Sequence, residues 1–360
     1  MTPTEESADG TRCFIAPPDL PRAYGPAPAR GRIKQRIEDF SVDEILGFEP
    51  EGEGPHVWLR IRKRDTNTQW LAGVIARLVG VPRHAVGFAG LKDRAAVTTQ
   101  WFSVPVEGRA EPDWAQLGSD EVELLRVIRH RKKLRRGIQK GNRFRIRVLD
   151  VRGDHDAIAE RVRSIDAGGA PNYFGEQRFG RDGGNIPAAW QMLVEGRRVR
   201  DRGLRGLYLS AARSMLFNRV LARRVAEDTW SRALPGEVLM LDGSNSVFPM
   251  AEPDAAIEER LARMDVHPTG PMWGAGDALA TGEALCVETA ALDDCGADCG
   301  TWREGLVDAG LDASRRALRV PVADLAVEFE AEDRLRVCFA LPAGAYATMA
   351  IRELVELEPE

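Results

Sequence analysis

The feature that most narrows what this chain can fold into is a two-residue alternation of apolar and polar side chains. It is present near both ends and lost in the middle. Val57, Leu59 and Ile61 alternate with polar neighbours across residues 56–62, and Phe144, Ile146 and Val148 do so across 143–149. Residues 97–104 form a further β-prone run, and alternation returns only at Val327 and Phe329, then at Leu335, Val337 and Phe339. Between these blocks the composition changes: residues 226–312 hold 18 acidic against 4 basic residues and are rich in Ala and Gly. A sheet-based α/β (α+β) core built from both chain ends, at 31–197 and 320–360 and interrupted by an inserted domain at 198–319, accommodates this most economically. Residues 1–30 are polar and then Pro-rich, which predicts a flexible tail with little packing.

Helical spacing marks three segments. Leu71, Val74, Ile75 and Leu78 share a face between a cap at Thr68 and a stop at Gly80. A second helix is expected over 155–165, capped by Asp154. The clearest amphipathic pattern runs over 207–224, where Leu209, Leu216, Phe217, Val220 and Leu221 line one side.

No apolar run approaches the roughly 20 residues of a membrane-spanning helix, so none is expected. Residues 1–10 lack both a basic start and an apolar core, unlike a secretory signal. The five cysteines are scattered and odd in number, which predicts reduced thiols in a cytoplasmic protein. The net charge of −5 hides a local excess: residues 126–147 contain 11 Lys or Arg and no Asp or Glu. Such a run serves either to contact a phosphate backbone or as a solvated charged strand pair.

Motifs for bound groups are absent. The five histidines are far apart, Cys295 and Cys299 have no second ligand pair, and no phosphate-binding glycine loop follows a strand. Neither a metal nor an organic cofactor is expected, so catalysis would rest on side chains.

Three stretches could carry it. In Phe88-Ala-Gly-Leu-Lys-Asp-Arg-Ala-Ala-Val-Thr-Thr-Gln-Trp101, Asp93 stands between Lys92 and Arg94. Flanking cations favour an ionised carboxylate, which suits a nucleophile or anionic base, although pattern alone favours a structural ion pair. Pro171-Asn-Tyr-Phe-Gly-Glu-Gln-Arg-Phe-Gly180 mixes aromatic rings, amides and an arginine, the chemistry that holds single-stranded nucleic acid; it equally fits a loop plugging a core. Tyr346 lies where a strand ending near Leu341 turns at Gly344 into a helix near Thr348, as a surface plug or as a pocket wall.

Together these stretches resemble the TruD family of tRNA pseudouridine synthases. The resemblance runs from about Gly31 to Leu354 in six blocks in the family's order: Glu38-Asp-Phe40, residues 90–100, residues 130–144, residues 171–180, Leu209-Ser-Ala-Ala-Arg-Ser-Met-Leu-Phe-Asn218 and residues 341–354. It implies isomerisation of uridine to pseudouridine, typically at tRNA position 13, without metal or cofactor. It also implies a pseudouridine synthase core with a mixed or antiparallel sheet flanked by helices and a TruD-specific insertion. By the same resemblance Asp93 is the nucleophile, Lys34 its cationic partner, and Phe174 the aromatic beside the carboxylate. Phe40, Asn172 and Tyr346 match base-contacting positions. Many relatives carry phenylalanine at the last, so the added hydroxyl needs a partner if buried. Lys132, Lys133, Arg135 and Arg136 are expected to hold the RNA backbone while the target base is flipped out. Tyr346 and Phe174 would confine the loose uracil. The expected partner is tRNA, with no membrane or obligate protein partner, and a monomeric state. Alternatives are a catalytically silent tRNA-binding or chaperone protein and a nucleoside hydrolase.

Overall fold

The computed structural model describes residues 14–293 and 297–358. Its elements follow in chain order. β1 (Ala29–Arg32), β2 (Phe40–Ile45) and β3 (His56–Arg64) lead to helix α1 (Thr68–Val79). β4 (Gly87–Phe88), β5 (Val97–Pro105), β6 (Val122–His130) and β7 (Gly141–Gly153) precede α2 (His155–Gly168). β8 (Ala170–Pro171), α3 (Asn185–Leu193), α4 (Arg202–Ala226), β9 (Val238–Leu241), β10 (Val247–Pro249), α5 (Ala255–Ala262) and β11 (Val266–Met272) come next. They are followed by α6 (Gly282–Asp293), α7 (Ala297–Asp308), β12 (Ser314–Ala317), β13 (Arg319–Val320), β14 (Ala323–Ala331), β15 (Arg334–Pro342), α8 (Ala347–Ile351) and β16 (Val355–Leu357).

The chain divides into two compact units. One comprises residues 28–163, 322–344 and 354 onward. Its mixed sheet runs β14-β15-β7-β2-β5-β3-β6, with β1 and β16 joined at β7 and β4 at β5. Most pairs are antiparallel; β2–β5 and β1–β16 are parallel. The C-terminal hairpin β14–β15 pairs with β7 in continuous register from Arg334↔Leu149 to Pro342↔Gly141, so both chain ends do build one sheet. Leu71, Ala72, Ile75, Ala76 and Val79 of α1 cover Val57, Leu59, Ile61, Phe102 and Val104. Each such buried aliphatic side chain contributes about 1.5–3 kcal/mol. Asn67, not Thr68, caps α1: its Oδ1 accepts from the backbone N–H groups of Gln69 (2.8 Å) and Trp70 (3.1 Å). Gly80 closes the helix at φ +71°, where a side chain would be strained.

The other unit holds residues up to 27 with 164–321 and 345–353. Its core is α4, whose Met215, Leu216, Phe217, Val220 and Leu221 pack with Trp190, Trp230, Trp302 and Leu306. Residues 164–197 therefore fall with α4, a boundary different from the expected break at 198. The reason is that α3 buries Ile186, Ala189 and Trp190 in the same core. Strands also occur where none is expected: β9, β10, β11 and β12 form a four-stranded sheet within 238–317. Short length and the two prolines of β11 hide them from a periodicity search.

The tail needs a correction as well. Residues 1–13 lie outside the described residues, but Leu20 is 2% exposed within the α4 core and Tyr24 Oη donates to the Gly169 carbonyl at 2.8 Å. Proline fixes φ and lowers the entropy cost of holding an extended segment, so Pro-rich does not mean unpacked. Cys286, Cys299 and Cys338 are free thiols, while Cys13 and Cys295 lie outside the described residues. No helix among the described residues is long and apolar enough to cross a membrane.

Candidate functional site

Asp93 sits on the loop between β4 and β5, and its backbone is tied from below. Gln100 Nε2 donates to the Gly90 carbonyl (3.2 Å), and the Lys92 N–H donates to Thr68 Oγ1 (3.2 Å). Lys63 Nζ donates to the Asp93 carbonyl (3.2 Å) and to that of Thr66 (2.6 Å). Burial pushes the Lys63 ammonium down to about 8, opposed in part by the charge of Asp93. With the main chain held in this way, the Asp93 carboxylate remains partly exposed beside Lys34, whose Nζ is 3.4 Å from Oδ2.

The two cations that flank Asp93 in sequence have ion-pair partners of their own. Lys92 turns inward to pair with Glu44 at 3.0 Å, both side chains buried, and Glu44 also accepts from the Trp101 N–H (3.1 Å). Arg94 turns outward to Asp65 at 3.0 Å. Adjacent residues on an irregular loop point in different directions, and both flanking cations form structural ion pairs, the reading that pattern alone favours. Lys34, 59 residues away, brings its ammonium to the carboxylate. Its ammonium also lies 4.5 Å from the centre of the Phe40 ring, a cation–π contact. Phe40 is buried and meets Phe144 edge to face, so its ring carries Lys34. Its neighbour Asp39 is structural, accepting from the Arg36 N–H (2.9 Å) and pairing with Arg147 (3.2 Å).

The second unit assembles a separate aromatic group. Phe174 meets Phe217 (5.5 Å) and Tyr346 (5.9 Å) edge to face. Two guanidinium groups face its ring, Arg316 at 4.1 Å and Arg178 at 5.4 Å. The Tyr346 hydroxyl finds its partner here: Arg178 Nε donates to it at 2.9 Å while Arg178 Nη1 donates to Ser210 Oγ at 2.7 Å. Asn172 donates from Nδ2 to the Ala317 carbonyl (2.8 Å) and accepts at Oδ1 from Arg316. An amide has two N–H groups and two lone pairs, so one of each is left for another partner. Burial pushes Arg316 down to about 10, which still leaves it a cation at neutral pH.

Sequence reasoning missed Arg316, Lys63 and the role of Asn218. Asn218 is 2% exposed on α4 and grips Phe174 at both backbone atoms, accepting from its N–H and donating to its carbonyl, each at 2.9 Å. A polar residue at a buried position of an amphipathic helix was the available signal.

The basic run resolves into two parts. Arg126, Arg129, Arg131, Arg143, Arg145 and Arg147 face Glu49, Glu111, Glu53, Asp324, Asp43 and Glu330. These arginines, all but Arg131 on β6 and β7, are ion-paired within the protein, so this part of the run answers to the charged strand pair of the two alternatives. Lys132, Lys133, Arg135 and Arg136, on the β6–β7 loop, are exposed and have no carboxylate partner among the described residues.

The geometry thus gathers Lys34, Phe40 and Asp93 in one unit and Asn172, Phe174 and Tyr346 in the other. Comparison with known proteins gives the chain as a whole a context. The family model of tRNA pseudouridine synthase D (TruD) matches residues 23–197 and 191–354. A tRNA pseudouridine synthase D of Methylococcus capsulatus is 50% identical over 342 residues, covering 95% of this chain and 96% of the relative. One of Nitrosococcus oceani is 48% identical over 340 residues, covering 93% and 94%. A crystal structure described as TruD from Methanosarcina mazei shares the fold, with a TM-score of 0.70 at 21% identity over 99% of both chains. With a family match spanning almost the whole chain and relatives this similar along their full length, the chain belongs to the tRNA pseudouridine synthase D (TruD) family.

Proposed function

We propose that this protein isomerises uridine to pseudouridine in tRNA, at position 13, with Asp93 as the nucleophile toward a flipped-out base. The observation that carries the reading is the Asp93 carboxylate held 3.4 Å from the Lys34 ammonium on a loop whose main chain is tied at Gly90, Lys92 and Asp93. Extruding a stacked nucleotide costs a few kcal/mol, which contacts to the RNA backbone offset. The carboxylate then promotes cleavage of the N1–C1′ bond, by addition at C6 of the uracil or by reaction at the ribose (addition at C1′, or removal of the C2′ proton to give a glycal). The detached uracil turns, C5 bonds to C1′, and the C5 proton is released, so the product is an isomer of the substrate. Lys34, 3.4 Å from the carboxylate, orients it. Phe174 and Tyr346 are assigned to the uracil faces, Asn172 to its edge through the spare N–H and lone pair, and Lys132, Lys133, Arg135 and Arg136 to RNA phosphates. The chemistry uses side chains alone, in a cytoplasmic monomer.

The test is direct. Unmodified tRNA transcripts incubated with the protein should acquire pseudouridine at position 13 on chemical mapping. Binding without modification would make the protein a silent RNA-binding module, and release of free uracil would make it a nucleosidase.

Two smaller effects follow from the geometry. Tyr346→Phe keeps the ring and loses only the hydroxyl that Arg178 contacts, while Arg178 retains Ser210. A single hydrogen bond to a charged group is worth about 1.5–3 kcal/mol when its loss strands the partner, and less here because Arg178 is still held. The specificity constant should fall less than about tenfold.

Lys63 predicts a pH dependence. Its ammonium loses a proton near pH 8 in the folded protein but keeps it to about 10.5 in the unfolded chain. Below pH 8 the buried charge therefore weighs against folding, and its contribution to stability rises between about pH 8 and 10.5. Activity runs the other way: above pH 8 the donor to the Asp93 carbonyl becomes neutral, weakening that bond by about 1 kcal/mol, roughly fivefold in rate. Initial rates from pH 6.5 to 9.5 should show an alkaline decline centred near 8, and Lys63→Met should lower the plateau and remove the decline.

A further inference from the structure

We propose that a cleft on the sheet unit, apart from Asp93 itself, is a backbone-binding subsite for a phosphodiester stretch of the tRNA outside the target nucleotide, with Arg83 as a previously unassigned contact. The inference deepens the reading of the protein as a tRNA-modifying enzyme and rests on it.

The cleft has a volume of about 850 Å³ and is lined by Arg83, His84 and Phe88 together with Lys133, Arg135 and Arg136 of the β6–β7 loop. No carboxylate lines it. Arg83 donates to Gln69 Oε1 at 2.9 Å, a neutral partner that leaves its charge uncompensated. The walls are braced against each other, since Lys133 Nζ donates to the His84 carbonyl at 2.6 Å. The Arg136 guanidinium lies 5.6 Å from the centre of the Phe88 ring. The backbone at Gly87 runs so close to the loop that a Cβ there would lie 2.3 Å from the Leu134 carbonyl oxygen, so a side chain at 87 would force the walls apart. These are the parts of a built anion site: converging cations, no competing acids, a rigid frame and an aromatic face.

Its position makes RNA the fitting occupant. β4 lines the cleft and runs on directly into the loop that presents Asp93, five residues past Phe88. The basic loop is bonded to that same segment, the Gly137 N–H donating to the Ala89 carbonyl at 2.8 Å. Gln69, which also lines the cleft, neighbours Thr68, which holds the Lys92 backbone. A polyanion held here is thereby referenced to the catalytic loop through covalent and hydrogen-bonded steps, as a modifying enzyme requires of the strand flanking its target.

The experiment measures binding of an unmodified tRNA transcript as a function of salt for the wild type, Arg83→Ala, Arg135→Ala and the double variant. The exposed Arg109→Ala serves as a control outside the cleft. Each cleft variant should raise the dissociation constant roughly five- to tenfold near physiological salt and reduce the slope of log K against log salt by about 0.7–0.9, with the double variant losing about twice that slope. Arg109→Ala should leave both unchanged. Equal losses in Arg109→Ala would mean only the overall charge matters, and unchanged affinity and slope in the cleft variants would overturn the proposal. Wild-type protein is assayed for pseudouridine on the same transcript. If it forms none, the parent reading fails; if it does and the cleft variants bind normally, only the subsite fails.

Discussion

Asp93→Asn is expected to abolish pseudouridine formation while leaving tRNA affinity within about threefold of the wild type. The two side chains have nearly the same shape, and the loop that carries residue 93 is held through its backbone by Lys63 and, at neighbouring positions, by Thr68 and Gln100. None of those bonds involves the carboxylate, so the substitution changes charge and nucleophilicity without releasing the loop. An amide cannot form the covalent bond proposed for the carboxylate, and it leaves the Lys34 ammonium without the counter-charge now 3.4 Å away. Losing a group that acts only in the transition state lowers kcat with little change in ground-state binding, by about 10⁴-fold or more for a nucleophile. Removing a negative charge near RNA phosphates can only favour association electrostatically. Single-turnover reactions with pseudouridine mapping, run beside a binding isotherm, separate the two quantities. A rate within tenfold of the wild type would remove Asp93 from the chemistry, whatever the family likeness.

How far the sequence could be read depended on the range of the interaction. Strands β3, β7 and β15 show themselves because buried and more exposed residues alternate along much of each, a local pattern of period two, while β14 alternates between half-buried and exposed positions. Strand β5 is buried almost throughout and shows only as a β-prone run. The short strands β9 to β12 have no such contrast, with β11 buried almost throughout and interrupted by Pro268 and Pro271. At the site, the residue types were legible and their partners were not. Pattern alone favours structural ion pairs for Lys92 and Arg94, but it does not name their partners, Glu44 and Asp65, which are 48 and 29 residues away. The strand arginines looked free because no acid lies within residues 126–147. Their acids come from other strands and loops, such as Glu49 and Glu330, brought alongside by sheet pairing. Lys34 was placed by family resemblance alone, since nothing in the spacing of an isolated lysine predicts which carboxylate it meets. Arg316 and Asn218 belong to the same class, for their importance lies in contacts with Phe174 that span 142 and 44 positions.

Asn218 provides the second large effect, and it tests whether Phe174 is held in place or merely packed. Asn218→Leu is expected to destabilise the protein by about 2–6 kcal/mol, because the buried N–H and carbonyl of Phe174 each lose their partner at about 1–3 kcal/mol apiece. Leucine fits the volume closely, so the cost is that of unmet hydrogen bonds and not of a cavity. The melting temperature should fall by about 5–15 °C. Activity should fall by more than the folded fraction does when measured well below the transition, since Phe174 is then free to shift against Phe217, Tyr346 and the Arg316 guanidinium. Ser214, one turn earlier on α4, supplies the comparison. It is as fully buried, but its hydroxyl has no hydrogen-bond partner among the described residues, so Ser214→Ala removes a desolvated polar group at no loss of a bond. That variant should be neutral or more stable by up to about 1 kcal/mol, with activity unchanged. Thermal melts and initial rates on the pair decide the matter. If Asn218→Leu melts with Ser214→Ala, the amide is not what holds Phe174, and the aromatic group is positioned by packing alone.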